Sequence, residues 1–542
     1  MHWPLPLHLG RDVPRDIGDP LVQAWQVAWG GHALAHQPLD YFQANTFWPL
    51  RNSLAFSDAL VGYAPAGLVG KGPHAAIVRY DLLFLLSYAL AFFGAYLLAR
   101  ELGVPPFAAP VAGAAFAYAP WRLEQDGHLH VLSSGGIPLA LFLLIRGYRG
   151  KRPGLVAAGW IVATWQFSLG FTLGLPLAYL LATLGAIGLA YLIRRHLRLA
   201  RRIVAVTVAG VVLFGATAIV LARPYLEVAD DHPEAKRTAA QVSGLSGPVK
   251  SFLAAPEENL VWGKATAGVR DDLTSVPEQT LFPGLAIIAL AVFGIATPAF
   301  PRGLRVGLGA GVVLLAFLSL GFHQHGAGSA YPYRLLYETA PGWKGIRVPG
   351  RLMTLTSLGL ALLAAGGAAS LAGALAARAN RRGRQVGWAL CAVLACAVLI
   401  EGSGFDLTPP GSGVVAGPSH PRVPPEPAGV AGVPAPQLHL PMTIPGNRRF
   451  TLWSSDGFPK LVNGRGSFVP SSFAKLEVRM RSFPNRRTAA LVRALGVRTV
   501  VLHPNLAAGT AWQGAARRPV AGLSLDRRRS GSVLVYEVAS PR

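Results

Sequence analysis

Residues 130–172 read HVLSSGGIPLALFLLIRGYRGKRPGLVAAGWIVATWQFSLGFT, two long apolar runs joined by a short loop that holds Arg146, Arg149, Lys151 and Arg152. A hydrocarbon core of ~30 Å takes ~20 helical residues to cross, and lipid does not tolerate unpaired backbone groups, so such runs are helices. The pattern recurs along the chain. Apolar segments lie near 75–100, 106–121, 130–148, 154–172, 175–194, 203–222, 281–299, 304–321, 350–377 and 386–403. Every second connection between them is basic. Beyond the loop already quoted, the basic connections hold Arg194, Arg195, Arg198, Arg201 and Arg202, then Arg302 and Arg305, then Arg378, Arg381, Arg382 and Arg384. Short loops rich in Lys and Arg stay in the cytoplasm. The remaining connections, residues 1–73 and the tail after 404 are then expected outside.

With 52% apolar residues, the composition fits a polytopic membrane protein. The net charge of +24 does not indicate nucleic-acid binding, because much of it sits in the inside-positive loops and no basic helix or aromatic-basic array stands out. Arg far outnumbers Lys, and Ala, Gly and Pro abound, which fits a GC-rich bacterial genome and a place in the bacterial cytoplasmic membrane. Cys391 and Cys396 lie five apart in one span, on different helix faces, so they are not expected to form a disulfide. The opening MHWPLPLHLG has no basic start and no continuous apolar core, so it does not read as a signal peptide. A polar segment this long crosses a membrane poorly unaided, which raises the expectation of a membrane helix ahead of residue 1.

Four regions follow. Residues 1–73 form a first outer loop with amphipathic helices, and 74–404 the transmembrane domain with outer loops at 223–280 and 322–349. Residues 405–436 read as a Pro/Gly linker, and 437–542 as a small α/β domain. In that last region QLHLPM, RRFTLW, VRTVVLH and VLVYEV alternate like strands, and RRTAALVRALG reads as a helix ended by Gly496. In the first region Trp25, Trp29, His32 and His36 recur at helical spacing on one face. They suit either an interfacial helix with Trp at headgroup level or the wall of a lipid-facing site. A second short helix is expected from Ser57 to Val69, capped by Ser57 or Asp58.

Acidic residues divide as the basic ones do, with Glu101 the one acid among the cytoplasmic loops. The outer stretch RDIGDPLVQAWQVAWGGHALAHQPLDYFQANTFWPLRNSLAFSDALVGYAPAGL (15–68) sets Asp16 and Asp19 ahead of an amphipathic helix and an aromatic, Pro-containing turn. A carboxylate at the membrane surface can take a proton from an attacking hydroxyl. Asp19-Pro20 equally suits a helix start, and the two roles can coexist. A phosphate leaving group needs positive charge rather than an acid, and Arg grips phosphate oxygens in a bidentate way. Arg347 and Arg351, four apart in IRVPGR, and Arg334 are the candidates for that task, with snorkelling at a helix end as the competing role. WRLEQDGHLH gathers Glu124, Asp126, His128 and His130. With His323 and His325 these could hold a divalent metal, against a role in ordinary interfacial hydrogen bonding. Asp81 is an acid inside the first span, a functional hypothesis by default.

The order of elements over about 12–404 resembles the GT-C superfamily of integral-membrane glycosyltransferases, which includes protein O-mannosyltransferases, aminoarabinose transferases and actinobacterial wall arabinosyltransferases. The resemblance implies a polyprenyl-phosphate sugar as donor and a catalytic carboxylate in the first outer loop. Here that loop corresponds to 15–68, which makes Asp19 the expected general base and Asp16 its partner or a metal ligand. Asp16-x-x-Asp19 departs from the tight acidic pair of better-known members. Glu278, in PEQTLFPG, matches a recurring position in similar bacterial sequences and is carried as an acceptor-site residue with Trp25, Trp29, His32, Glu124, Asp126, His128 and His130.

The expectation is therefore an α-helical polytopic membrane protein of GT-C-like layout, with about ten spans and a small extracytoplasmic α/β domain. It would be an inverting glycosyltransferase acting on an outer glycan, lipid or protein. A transporter or flippase of lipid-linked saccharide would show polar residues deep in several spans and an internal repeat, which this chain lacks. A non-catalytic scaffold for envelope assembly is the third reading.

Overall fold

The structure, a computed structural model, describes residues 2–322, 332–378, 383–404 and 420–539. The chain divides into two compact units. One comprises Met1–His2, Leu83–Val220 and Arg237–Ser419; the other comprises Trp3–Leu82, Leu221–Lys236 and His420–Arg542.

Among the described residues, seven helices are long and apolar enough to cross a membrane: Gly72–Glu101, Leu129–Arg149, Phe171–Arg194, Arg201–Asp231, Arg302–Ser319, Pro349–Arg378 and Gly383–Glu401. This is a multi-pass membrane protein. Three of the ten apolar segments form shorter helices, Ala109–Ala117, Pro153–Ser168 and Leu285–Ala296. Prolines set these limits. Pro110 and Pro120 bracket the first, Pro153 opens the second, and Pro298 disfavours helix at the residue before it. In the best apolar window of Arg201–Asp231 only 11% is buried within the protein, which suits a helix facing lipid.

The core of the first unit is built from small residues. Ala109–Ala117 is buried almost throughout and packs on Met353–Arg378. Leu285–Ala296 crosses that same helix at two glycines. A Cβ on Gly294 would lie 2.0 Å from the Leu363 carbonyl oxygen, and one on Gly367 would lie 2.1 Å from that of Leu290. Without a hydrophobic force between helices in lipid, such backbone approach supplies the contact. The exposed start of Leu285–Ala296 is closed by Glu401, which accepts from the backbone N–H of Leu285 (2.5 Å) and Ala286 (2.9 Å) and from the Trp262 indole (2.7 Å). At another edge of this unit Arg146 and Arg149 each lie 3.5 Å from Glu101, so the lone acid of the basic loops is neutralised locally.

The second unit contains a mixed four-stranded sheet, β1 (Gln437–Leu440), β2 (Thr499–Leu502), β3 (Leu525–Ser530) and β4 (Val533–Val538), in the order β1-β2-β4-β3. β1 and β2 are parallel and the other pairs antiparallel. RRFTLW, expected as a strand, lies instead in the helix Ile444–Trp453. Thr443 caps it by accepting from the Gly446 N–H, and Pro445 sits in its first turn. β3 escapes the alternation rule because LDRRRS is exposed at nearly every position. Helix Arg486–Ala494 is followed by Gly496 at φ +72°.

The N-terminal and C-terminal segments, expected as separate regions, interleave in this unit. Phe47 N–H donates to Asn463 (3.1 Å), Trp48 N–H to Leu461 (3.0 Å), and Leu461 N–H to Asn45 (2.8 Å). Residues 405–419 lie outside the described residues. The rest of the expected linker is packed rather than free, with Val430 and Val433 buried against Val501, Val533 and Val535. The short helix expected from Ser57 is a 3-10 helix, Val61–Leu68, entered through Leu60 at φ 51°. Neither Ser57 nor Asp58 caps it. Ser57 is engaged elsewhere, its carbonyl accepting from the Tyr225 hydroxyl and its side chain from the Ser467 N–H.

The glycine crossing makes a prediction. Gly367→Leu should lower the thermal unfolding midpoint of the detergent-solubilised protein, at a cost of roughly 1–3 kcal/mol or more for overpacking; an unchanged midpoint would contradict the crossing.

Candidate active site

In the first unit, three segments meet at one arginine. Pro349–Leu352 is a 3-10 turn that leads into Met353–Arg378 and carries Arg351. Its Nη2 donates to Glu278 Oε1 at 2.7 Å, and its Nη1 donates to His130 Nε2 at 2.9 Å. A guanidinium can only donate, so His130 accepts and carries its proton on Nδ1. Glu278 and Arg351 are 15% and 13% exposed, a mostly buried pair. Burial alone pushes the Glu278 carboxyl up, but the charges of Arg351, His128 and Arg347 outweigh it and hold the group below the usual carboxylate range. Gln125 ties the arrangement together, donating to the Pro277 carbonyl (3.1 Å) and facing His128 Nδ1 through its Oε1 (3.1 Å). Glu278 Oε2 and Arg351 Nε are buried with no hydrogen-bond partner. Arg347 is exposed, while Arg334 is turned to Glu338 in an exposed pair at 2.8 Å.

Asp126 belongs to a different network. It is buried and accepts from the Tyr88 hydroxyl at 2.5 Å, with His2 Nδ1 4.0 Å from its other oxygen. Arg122 is also buried, donating to Ser134 Oγ (3.1 Å) and the Leu132 carbonyl (3.0 Å) over the Tyr88 ring. Glu124 is 4% exposed in the same Pro120–Gln125 turn. Among the described residues no three His, Cys, Asp or Glu groups are arranged to hold a metal ion. His323 and His325 lie outside the described residues.

In the second unit, Asp19 is the first residue of the helix Asp19–His36, and Gly18 stands at the cap position without a side-chain bond. Arg448, on the helix Ile444–Trp453, donates from Nη2 to Asp19 Oδ1 at 2.8 Å. A Cβ on Gly18 would fall 2.3 Å from Asp16 Oδ1 and 3.0 Å from Arg448 Nη1, which places the ends of both side chains close to the start of this helix. Asp16 is exposed. The helix that follows is less amphipathic than its spacing suggests, with 13 of its 18 residues buried. Trp25 donates to Asn45 (3.1 Å) and Trp29 to the Tyr41 carbonyl (3.0 Å), and both are 3% exposed. These two are core residues of the unit rather than a substrate wall. His32 keeps a partly exposed ring between His36 and Phe458. Asp81 accepts from the Gly10 N–H at 2.9 Å, whereas Arg79 turns to the Val69 and Gly70 carbonyls.

No protein-family model matches this chain, and no curated protein matches it in sequence. Solved structures do. The arabinofuranosyltransferase AftD from Mycobacteria aligns with 98% of the chain at a TM-score of 0.52 and 16% identity. This likeness is one of fold. The chain spans 38% of the length of that AftD chain. ArnT from Cupriavidus metallidurans aligns over 99% of this chain and 96% of its own, at 14% identity and a TM-score of 0.37, too low to argue from.

Sequence reasoning missed Arg448, 429 positions from its partner Asp19. Reading TIPGNRRF as a capped helix start would have placed it on a helix, though not beside Asp19. The Arg351 cluster carries its own prediction. Removing the negative partner with Glu278→Gln strands a buried guanidinium, a change that costs roughly 3–5 kcal/mol. A carboxyl held low in the folded state stabilises above its unfolded value of about 4.3 and loses that contribution as pH falls through the folded value. Thermal midpoints of wild type and variant should therefore differ clearly at pH 7 and converge in acid. Equal midpoints at pH 7 would remove the pair from the stability of this unit.

Proposed function

We propose that this chain is a GT-C-type glycosyltransferase that moves a sugar from a polyprenyl-phosphate donor to an extracytoplasmic glycan, lipid or protein acceptor, with inversion. The observation that carries this reading is the Arg351 cluster, a mostly buried guanidinium held by Glu278 and His130 with Arg347 exposed nearby in sequence. The likeness in fold to a membrane arabinofuranosyltransferase gives that cluster its context.

In the proposed reaction the acceptor oxygen attacks the anomeric carbon, the bond to the donor phosphate breaks, and the phosphate leaves as an anion. Arg347 meets that developing charge, and Arg351 offers the Nε that has no partner. Glu278 and His130 are positioning residues, because they fix the plane of the Arg351 fork. Asp19 takes the acceptor proton. Its bond to Arg448 orients the carboxylate. Asp16 stands beside it as partner or metal ligand.

Transfer from labelled polyprenyl-phosphate sugars in membranes tests this. Asp19→Asn should reduce transfer by roughly 10²–10⁴-fold, the usual contribution of a general base. Arg351→Lys should reduce it too, because a point charge does not reproduce the fork. Transfer equal to wild type would remove Asp19 as the base, and a wild-type protein inert toward every donor offered would sink the enzyme reading.

A further inference from the structure

The sheet of the second unit closes one of its edges and leaves the other open. At the β1 edge, Gln437 N–H donates to the Lys460 carbonyl (2.8 Å), and the Gln437 carbonyl accepts from Val462 N–H (2.9 Å). The Asn463 side chain continues the closure, accepting from His439 N–H (2.6 Å) and donating to the His439 carbonyl (2.9 Å). β3 forms the opposite edge. Its pairing with β4 is continuous from Leu525 opposite Val538 to Ser530 opposite Val533, and Gly531 at φ +55° turns the hairpin.

The ladder fixes which backbone groups of β3 face away. Val538 N–H donates to the Arg498 carbonyl, on the β2 side, and Ala539 N–H donates to the Ser524 carbonyl, on the β3 side. Alternation along β4 then aims Glu537, Val535 and Val533 at β3, where they stand opposite Asp526, Arg528 and Ser530. The N–H and C=O groups of Leu525, Arg527 and Arg529 therefore point outward. Among the described residues nothing pairs with them, and Asp526 to Arg529 are all exposed.

Arg527 and Arg529 share one face of this strand, two positions apart. Arg527 Nη1 donates to the carbonyls of Ala516 (2.9 Å) and Arg518 (3.2 Å), and Arg529 Nε to that of Gly531 (3.4 Å). Carbonyls hold these guanidinium groups in place without neutralising them. Arg528, on the other face, is already paired with Glu537 at 3.0 Å. The surroundings add to the field, since residues 465–539 hold thirteen Lys and Arg against three Asp and Glu.

An edge with unpaired backbone groups is a template for another strand, and its side chains decide which one. A second copy of β3 would set Arg against Arg, and like charges on adjacent strands repel. A phosphate polymer or an anionic lipid surface would answer the charges but leave the backbone groups to water. An extended peptide with acids at alternate positions answers both. Its N–H and C=O groups continue the ladder while its carboxylates stand opposite Arg527 and Arg529. We infer that the open edge of β3 is a strand-addition site for an extended acidic segment of a partner protein. The site shares no residue with the Asp19 pair or the Arg351 cluster, and its occupancy requires no sugar transfer.

Fluorescence anisotropy on the full-length protein, in an uncharged detergent, tests this with a rhodamine-labelled peptide alternating Glu and Thr. Wild type should bind it saturably and should not bind the matching peptide of Lys and Thr. The Glu–Thr peptide N-methylated on its Glu nitrogens keeps its charge but loses its ladder donors, and should bind about tenfold or more weakly. Replacing both arginines, Arg527→Glu with Arg529→Glu, should weaken the unmethylated peptide by about tenfold or more, because it sets like charges opposite each other. Both side chains are exposed, and the methylated peptide tests the wild-type protein whatever the variant does. Absence of binding by the Glu–Thr peptide, or equal binding by the folded variant, overturns the site. Equal binding of the methylated and unmethylated peptides overturns it too, leaving only a diffuse basic surface.

Discussion

A charge cannot be left unpaired in a membrane protein interior, and the placement of Arg351 follows from that constraint. The guanidinium sits one turn before a 26-residue apolar helix. It is accommodated because Glu278 and His130, from two other parts of the chain, converge on it. That convergence draws the 120–132 turn and the PEQTLFPG loop to the mouth of the Met353–Arg378 helix. Glu401 does the same at a neighbouring helix start, where one carboxylate satisfies two backbone donors and an indole. In both places a polar group missing from the local apolar pattern fixes where loops must lie.

The membrane architecture was legible because lipid imposes a simple rule on sequence: apolar length and basic loops. The rule does not distinguish a crossing helix from a short one, which is why Ala109–Ala117 and Leu285–Ala296 read as spans. Their ends depend on proline and glycine geometry and on partners such as Glu401. In the C-terminal region, alternation revealed β1, β2 and β4, whose side chains are largely buried. It failed for the exposed β3 and for RRFTLW, where the Thr443 cap outweighs strand-like composition. Pro- and Gly-rich sequence likewise read as linker, yet Val430 and Val433 are held by the sheet they cover.

The candidate site was legible by residue type and less so by partnership. Carboxylates, arginines and histidines of the right chemistry stood out, and three of them, His130, Glu278 and Arg351, come together. Trp25 and Trp29 suited a substrate wall by spacing, but spacing cannot tell a lipid-facing stripe from a packed one, and both indoles are bonded inside the core. Arg448 was invisible because its pairing with Asp19 is a product of the fold, which joins the two ends of the chain in one unit.

The lipid-phosphate role proposed for the Arg351 cluster is open to direct observation. An electron cryo-microscopy map of the protein incubated with a polyprenyl-phosphate sugar should show phosphate density within hydrogen-bond distance of Arg351 or Arg347. Donor density that places its phosphate against other residues, with Arg351 still bonded only to Glu278 and His130, would contradict that role and reduce the cluster to a structural clamp.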